Sequence, residues 1–592
     1  MGEHPTGAKA PSKREGFSSR KVFLFAAVGS AVGLGNIWRF PYIAYQNGGG
    51  AFMIPYIVAL LTAGLTFLYF DYAIGHRGRA SSPLSYRRLN RGTEFIGWWH
   101  MGMASVIAIY YAVILAWAMR YLIFSFSNAW GDDAKGFFNN DFLQVAAEPG
   151  VSFDFNLGIL VPLAVLWIAL IAVMCLGVQN GVGKANIIFM PLLIIMFLIL
   201  VVYSLTLPGA FNGVNALFTP DWSRLWDGKV WVAAYGQIFY SLSIGFGIMV
   251  TYASYMKRKS DLTGSGAVVG FANSGFEILA GIGVFAALGF MAQSSGVEVK
   301  EVVSNGIGLA FVAYPTIISQ AGAAGALIGV LFFGSLLFAG FTSLISILEV
   351  VVAGVQDKFN LGRIASTVVV LVPLGVLSLL LMPTSTGLYV LDILDKFVNI
   401  FGILLGGVVA ILVVTFIVGA LPTLAAHLSR YSSIKVRWTW MIMIGLVTPA
   451  VLIVSLLDSL FNPEDGLAHH VYGDYPQWLV GIFGWGMSAG ILILAIIISL
   501  LPWSKNSRAA EEPPAPPVVF WRVRKNHVDS TVRRASKASD HLAAAKAQEA
   551  TAIAAEPLVQ VSAPAAEPAA ASVEPVAEPA AEDVVIPWKK EN

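Results

Sequence analysis

The chain has 592 residues, of which 57% are hydrophobic and only 12% are charged, whereas soluble globular chains carry about 25% charged residues. This composition, with a mean hydropathy of +0.71, excludes an ordinary soluble enzyme. The net charge of +2 is too small to indicate a nucleic-acid partner. The one cysteine, Cys175, excludes an internal disulfide and a cysteine-based zinc or iron–sulfur site.

Twelve apolar segments lie between Val22 and Leu501, each long enough to cross a hydrocarbon core of about 30 Å. They predict an all-α integral membrane protein with twelve transmembrane helices. The predicted spans cover residues 22–45, 50–75, 96–126, 157–177, 184–207, 231–256, 263–293, 322–355, 364–382, 388–420, 438–458 and 476–501. The first span lacks a small-residue cleavage site, so we expect it to be retained and not removed as a signal peptide.

The charges of the loops predict the orientation of the chain. The residues before the first span, 1–21, carry five Lys and Arg residues and the even-numbered loops carry fourteen, but the odd-numbered loops carry only Lys135, Arg224, Lys229 and Lys300. Since Lys and Arg are retained on the cytoplasmic side, we expect a multi-pass protein of the cell inner (plasma) membrane with both termini in the cytoplasm.

Composition divides the chain into three parts. Residues 1–20 form a polar, basic amino-terminal segment, and residues 21–502 form the membrane domain. Residues 503–592 are rich in Ala, Pro and Glu, a low-complexity composition that cannot bury a core. We expect them to form a cytoplasmic, mostly disordered tail without chemistry of its own.

The first span contains the sequence Ala31-Val32-Gly33-Leu34-Gly35-Asn36. Two glycines flanking one residue, with an Asn beside them, favour an unwound helix at mid-membrane, although a small-residue face for helix packing would also use glycines. Arg39 follows about one turn later. Because a charge facing lipid is unfavourable, it indicates a water-filled vestibule.

The sixth span has a comparable interruption at Tyr240–Gly247, where two serines and two glycines lie in mid-span. Spans one and six occupy corresponding positions if the first ten spans form two halves of five. Paired broken helices of this kind are typical of transporter sites, because free carbonyls coordinate a cation while helix amino ends face an anionic group. Sodium and a substrate carboxylate fit this pair.

Other polar residues lie inside apolar spans. Asn273 and Glu277 are four residues apart in span seven and therefore share a helix face. An intramembrane carboxylate is functional by default, so we expect a role for Glu277. Thr342 and Ser343 in span eight are candidates for cation binding, but hydroxyls that bond their own helix carbonyls are an equal alternative.

Four motifs resemble those of a known family. They are AVGLGNIWRFP at residues 31–41, NGGGAF at 47–52, QIFYSLS at 237–243 and TYASY at 251–255. From about Arg14 to the end of span twelve the chain resembles the neurotransmitter:sodium symporters, and among them the bacterial sodium-dependent amino-acid transporters of the leucine-transporter type. The resemblance implies an inverted repeat of spans one to five and six to ten, with unwound helices one and six, plus spans eleven and twelve.

The resemblance also implies two sodium sites. The first would use the substrate carboxylate, the Ala31 carbonyl, the side chains of Asn36 and Asn273, and the Ser241 hydroxyl. The second would use the carbonyls of Gly29, Val32 and Ala339 and the hydroxyls of Thr342 and Ser343. Neutral oxygens of these types suit a hard cation.

For the substrate, the resemblance implies an amino acid held at both ends. Its carboxylate would meet the amides of Leu34 and Gly35 and the hydroxyl of Tyr111. Its amino group would meet the carbonyls of Ala31, Tyr240 and Ser241 and the hydroxyl of Ser243. The side-chain pocket would be shaped by Ile107, Tyr240, Phe246, Ser343 and Ile347, which favours a neutral, hydrophobic substrate such as methionine, leucine or alanine. Tyr240 replaces the Phe that is usual in the family.

The resemblance further implies two gates. Arg39 and Asp395 would close the outer side as an ion pair. Arg14 and Asp357, with Phe17 and Tyr255 nearby, would close the inner side. Phe17 replaces the Trp that is common in the family.

Glu277 occupies the helix-seven position where chloride-dependent members of the family carry a small hydroxyl residue. A fixed carboxylate supplies the negative charge that chloride would bring, so we expect no chloride requirement; the alternative is a carboxyl kept protonated beside Gln237.

Sodium-coupled transport is the predicted function, and a membrane sensor with a signalling tail is the alternative. A homodimer or a small membrane subunit is a possible partner. The sequence contains no metalloprotease, nucleophile-elbow or phosphate-loop motif, so we do not expect an enzyme.

Overall fold

The structure is a computed structural model that describes residues 15–462 and 466–504. Arg14 and the tail beyond Ser504 therefore lie outside the described residues. Within the described ranges the regular structure is helical, apart from an isolated bridge between Phe155 and Thr384, which confirms the all-α class. The long helices and the two halves of the broken spans are α1 (Arg20–Ala31), α2 (Leu34–Gln46), α3 (Gly49–Gly78), α4 (Arg91–Phe124), α5 (Leu157–Cys175), α6 (Val178–Leu205), α7 (Gly228–Ser241), α8 (Ile248–Ser254), α9 (Leu262–Ser295), α10 (Gly322–Phe359), α11 (Arg363–Leu381), α12 (Gly387–Ile417), α13 (Trp438–Phe461) and α14 (Gln477–Leu500).

Ten helices of the described residues are long and apolar enough to cross a membrane, and α1 with α2 makes an eleventh that bends by 53°. The sixth predicted span corresponds to α7 and α8, which are separated by residues 242–247. The total of twelve thus requires α7 and α8 to form one broken span, and it stays a prediction. A further apolar helix, Gly306–Gln320, is too short to span and was not predicted.

The break between α1 and α2 is made by two residues with extended backbone. Val32 has φ −75° and ψ 99°, and Gly33 has φ −131° and ψ −163°. The Gly33 amide then donates to Asn36 Oδ1 at 2.9 Å, so the Asn36 side chain caps the start of α2. The last carbonyls of α1 and the first amides of α2 lack hydrogen-bond partners within their helices, so they are available to a ligand.

The break between α7 and α8 depends on left-handed backbone. Ser243, Gly245 and Gly247 have φ values of 52°, 84° and 87°. Glycine adopts this conformation freely, whereas in Ser243 it costs about 1–2 kcal/mol. The Ser243 hydroxyl donates to the Ser30 carbonyl at 2.8 Å, which offsets part of that cost and ties the two breaks together.

Burial separates central from peripheral helices. In the most apolar 18-residue stretch of α4 and of α10, 78% and 83% of the residues are buried within the protein. The corresponding share is 33% in each of α5, α6 and α11 and 11% in α14. The outer helices therefore present apolar side chains to lipid, as a spanning helix must. The broken helices are enclosed by the central ones, which keeps their free backbone groups away from lipid.

Candidate functional site

A cavity of about 500 Å³ lies between the two helix breaks. The cavity is lined by Leu391, Asn399, Ile403 and the Asn305–Gly308 segment, among others. It is also lined by every residue that the sequence predicts for substrate binding, namely Ala31, Leu34, Gly35, Ile107, Tyr111, Tyr240, Ser241, Ser243, Phe246, Ser343 and Ile347. Residues from five helices and one break, up to 316 positions apart in sequence (347 minus 31), thus converge on one space.

One end of the cavity presents backbone amides. Leu34 and Gly35 are the first two residues of α2, and the first amides of a helix lack partners within it. The Leu34 amide donates to the Tyr111 hydroxyl at 3.5 Å, outside the helix. Amides at the positive end of a helix dipole bind anions, so this end is suited to a carboxylate.

The opposite group of polar atoms is organised around a backbone carbonyl. The hydroxyls of Ser243 and Ser343 both donate to the Ser30 carbonyl, at 2.8 and 3.3 Å. The end of α1, the second break and α10 are therefore joined at one oxygen. Ala31 and Ser241 are the last residues of α1 and α7, and the carbonyls at a helix end have no partner within the helix.

The residues predicted for the first sodium site form one hydrogen-bonded chain. Asn36 Nδ2 donates to Asn273 Oδ1 at 2.8 Å, and Asn273 Nδ2 donates to Ser241 Oγ at 2.9 Å. All three side chains are buried. The structure thus brings together α2, α9 and the end of α7, and two of these neutral oxygen-bearing residues, Asn36 and Ser241, line the cavity.

The residues predicted for the second sodium site lie where α1 meets α10. Gly29 is near the end of α1, and Val32 follows its last helical residue. On α10, Thr342 Oγ1 donates to the Phe338 and Ala339 carbonyls, both at 3.0 Å. The hydroxyl thus makes the local bond that the sequence left open as an alternative. Among the described residues no three His, Cys, Asp or Glu side chains form a metal-binding group, so a cation here would rely on neutral oxygens.

Glu277 is a buried carboxylate close in sequence to the predicted first sodium site. It is 0% exposed and lies one turn from Asn273 on α9. Gln237 Nε2 donates to its Oε1 at 2.6 Å, and the Tyr56 hydroxyl donates to its Oε2. Each oxygen accepts one bond, an arrangement that suits an acceptor-only carboxylate.

The predicted outer gate residues both line the cavity. The Arg39 guanidinium lies 3.9 Å from the centre of the Tyr240 ring. Asp395 accepts hydrogen bonds from Tyr110 at 2.8 Å and from Asn399 at 3.1 Å. Within the described part of the chain Arg39 and Asp395 form no direct ion pair, so their closure remains a prediction.

On the inner side, Phe17 packs edge-on against Tyr255, with ring centres 5.9 Å apart, and its amide donates to the Tyr255 carbonyl at 3.2 Å. Asp357 is buried and accepts a bond from the Ser81 amide at 2.7 Å. Its predicted partner Arg14 lies outside the described residues. The pairing therefore stays a prediction.

A charged group that was not predicted from the sequence lies next to this inner region. Arg363 donates to both oxygens of Glu349, at 3.0 and 2.7 Å, and Tyr255 donates to Glu349 at 2.6 Å. Glu349 is an intramembrane carboxylate on α10, which is a signal that the sequence already carries. The contact of Asn399 with Asp395 follows from their spacing of four residues on α12, whereas the contact of Tyr110 with Asp395 had no comparable sequence signal.

Known proteins are similar to this chain over most of its length. The profile of the Sodium:neurotransmitter symporter family matches residues 14–145 and 131–506. An uncharacterized sodium-dependent transporter of Methanocaldococcus jannaschii is 40% identical over 490 residues, or 83% of this chain and 97% of that relative. The sodium- and chloride-dependent taurine transporter of Rattus norvegicus is 30% identical, over 83% of this chain and 85% of the relative. The sodium-dependent serotonin transporter of Drosophila melanogaster is 29% identical, over 81% of each.

Proposed function

This chain belongs to the sodium:neurotransmitter symporter family and is a multi-pass membrane protein, and on that basis we propose that it takes up a neutral, hydrophobic amino acid together with sodium. Uptake would proceed by alternating access to the cavity between the two helix breaks. The observation that carries the proposal is that cavity, because both broken spans and all eleven predicted substrate residues meet there.

The lining of the cavity supports an amino-acid substrate. The amides of Leu34 and Gly35 offer donors to a carboxylate, and the carbonyls at the end of α1 with the Ser243 hydroxyl offer acceptors to an ammonium group. Between them, Ile107, Phe246 and Ile347 supply apolar surface. The charged residues that line the cavity are Arg39, Asp392 and Asp395, on α2 and α12. Arg39 and Asp395 would serve as the outer gate, and Asp392 accepts bonds from Tyr472 and Tyr475, which favours an uncharged substrate side chain.

Two sodium ions are proposed to bind at the helix breaks. The first would lie among Ala31, Asn36, Ser241 and Asn273 and would share the substrate carboxylate, which links ion and substrate binding. The second would lie among Gly29, Val32, Ala339, Thr342 and Ser343. The protein donors of both sites are neutral oxygens, so each ion would bring net positive charge that the substrate carboxylate and Glu277 compensate.

We propose that transport does not require chloride. The taurine transporter of Rattus norvegicus is among the relatives named as chloride-dependent, whereas in this chain Glu277 would supply a fixed carboxylate close to the predicted first sodium site. Such a carboxylate supplies the charge that an anion would otherwise supply.

The proposed setting is the cell inner (plasma) membrane with both termini in the cytoplasm, as the Lys and Arg distribution favours. Residues 21–502 would form the transporter domain, and the amino-terminal segment 1–20 and the tail 503–592 would be accessory. A homodimer or a small membrane subunit is compatible with the extensive apolar outer faces of α5, α11 and α14.

The function is tested by uptake into vesicles that contain the purified protein. Radiolabelled methionine, leucine, alanine and an aromatic amino acid are supplied with an inward sodium gradient, and matched vesicles receive potassium only. We expect at least one substrate to accumulate above its equilibrium level with sodium. Equal uptake with potassium would contradict sodium coupling, and saturable binding without accumulation would identify a sensor instead.

A further inference from the structure

A buried polar group on α6 is not used by the proposed mechanism. Asn186 is 0% exposed, and its Nδ2 donates to the Val182 carbonyl at 2.9 Å. Its Oδ1 has no hydrogen-bond partner among the described residues. A buried amide oxygen without a hydrogen-bond partner is unfavourable. The residues around this oxygen therefore indicate which ligand it binds.

Asn186 Oδ1 points at the end of α1. A Cβ atom at Gly29 would collide with this oxygen and would also lie 3.1 Å from Met190 Sδ. Only glycine permits such a close approach. The Gly29 carbonyl is one of the proposed ligands of the second sodium ion, so the free amide oxygen lies against a residue of that site.

The same face of α6 also reaches the other half of the site. Met190 lies one turn after Asn186, and its Sδ is 4.0 Å from Thr342 Oγ1. Asn186 and Met190 therefore cover the junction of α1 and α10 from the α6 side. Met190 offers only a soft thioether to a cation, whereas the amide oxygen of Asn186 is a hard donor of the kind that sodium prefers.

We propose that Asn186 belongs to the second sodium site and that its Oδ1 coordinates the ion from the α6 side, directly or through one water molecule. The inference rests on the proposed sodium symport and adds to it a sixth oxygen donor from a third helix. A neutral donor in this position raises the affinity for sodium without adding charge, and it gives the unpaired oxygen a partner.

The test compares Asn186→Leu and Asn186→Asp with the parental protein. The sodium dependence of the thermal unfolding temperature is measured on the purified protein, because it reports ion binding without transport. Half-saturating sodium for uptake is measured in vesicles. We expect Asn186→Leu to raise the half-saturating sodium concentration about three- to tenfold, the effect of losing one polar interaction. Asn186→Asp should lower that concentration, more strongly at pH 8.5 than at pH 6, because only an ionised carboxylate adds charge.

Ser204→Ala is the matched control. Ser204 lies on the same face of α6 and is 1% exposed, and its hydroxyl also lacks a partner among the described residues. It is 18 residues from Asn186, or about 27 Å along the helix, so its removal should leave the sodium dependence unchanged.

The outcomes separate this inference from the proposed function. A parental protein with no sodium-dependent uptake and no sodium-dependent stabilisation would contradict the proposed function itself. A sodium-dependent parent with unchanged sodium curves in both variants would overturn the role of Asn186 alone. An Asn186→Leu protein that is less stable without sodium but keeps the parental sodium response would show a packing role and would also overturn it. If Asn186→Leu does not fold, an unchanged sodium curve in Asn186→Asp overturns the inference.

Discussion

Replacing Glu277 by serine should create chloride dependence. Glu277 is fully buried, and its two oxygens accept hydrogen bonds from Gln237 and Tyr56. Serine removes the negative charge and leaves space beside two donors. Those donors, now unpaired, are suited to bind an anion such as chloride.

The size of the effect follows from the position of Glu277 on α9. One helical turn separates it from Asn273, which corresponds to about 6 Å between side chains. At an effective dielectric constant of about 20, removing a unit charge at this distance weakens the binding of a monovalent cation by about 3 kcal/mol. That is about a 100-fold loss of sodium affinity, and a bound chloride ion should restore most of it.

The assay is sodium-driven uptake with chloride present or replaced by gluconate. The parental protein should transport equally in both media, whereas Glu277→Ser should be active only with chloride. Glu277→Gln is the matched control, because it removes the charge but fills the space, so it should stay impaired in both media. Loss of parental uptake in gluconate would refute the role of Glu277. Uptake by Glu277→Ser that is the same with and without chloride would refute it as well.

Three further predictions concern the coupling site, the outer gate and the tail. Asn36→Ala should abolish sodium-dependent uptake, because the Gly33 amide and the Asn273 side chain lose their partner, at a free-energy cost of about 1–3 kcal/mol each. Full uptake by a variant that inserts into the membrane would contradict this. Arg39→Ala and Asp395→Ala should each slow uptake about tenfold or more by preventing closure, and parental rates in both would exclude the gate. A chain truncated after Ser504 retains Trp503, whose Nε1 donates to Glu94 at 2.9 Å. The truncated chain should therefore bind substrate and transport normally. A truncated protein that inserts into the membrane but binds no substrate would show that the tail is needed.

Local sequence signals predicted the secondary structure and the places where it breaks. Hydropathy located the segments that form the long helices, because each segment must itself be apolar enough for lipid. Glycine and serine pairs located both breaks, because left-handed or extended backbone is a property of a few adjacent residues. Of the predicted boundaries, the start of the fifth span differs most, since it was predicted at residue 184 and α6 starts at Val178.

The sequence motifs also identified the residues of the cavity, but not how these residues contact one another. The bond between Asn36 and Asn273 joins residues 237 positions apart, and the bonds of Ser243 and Ser343 meet at Ser30. Asp395 on α12 accepts a bond from Tyr110 on α4, 285 positions away, although the sequence pointed to Arg39. These pairings depend on which side of each helix faces its neighbours.

The sequence by itself therefore determined the class of protein, its helices, its two breaks and the chemistry of its donors. Only the tertiary structure decided that Gln237 and Tyr56 meet Glu277, that Glu349 pairs with Arg363, and that Asn186 lies against Gly29. The physical reason is that an apolar spanning helix has little amphipathic periodicity to fix its rotation. Its orientation is set by close packing of small residues and by hydrogen bonds between distant helices, which exist only once the bundle has assembled.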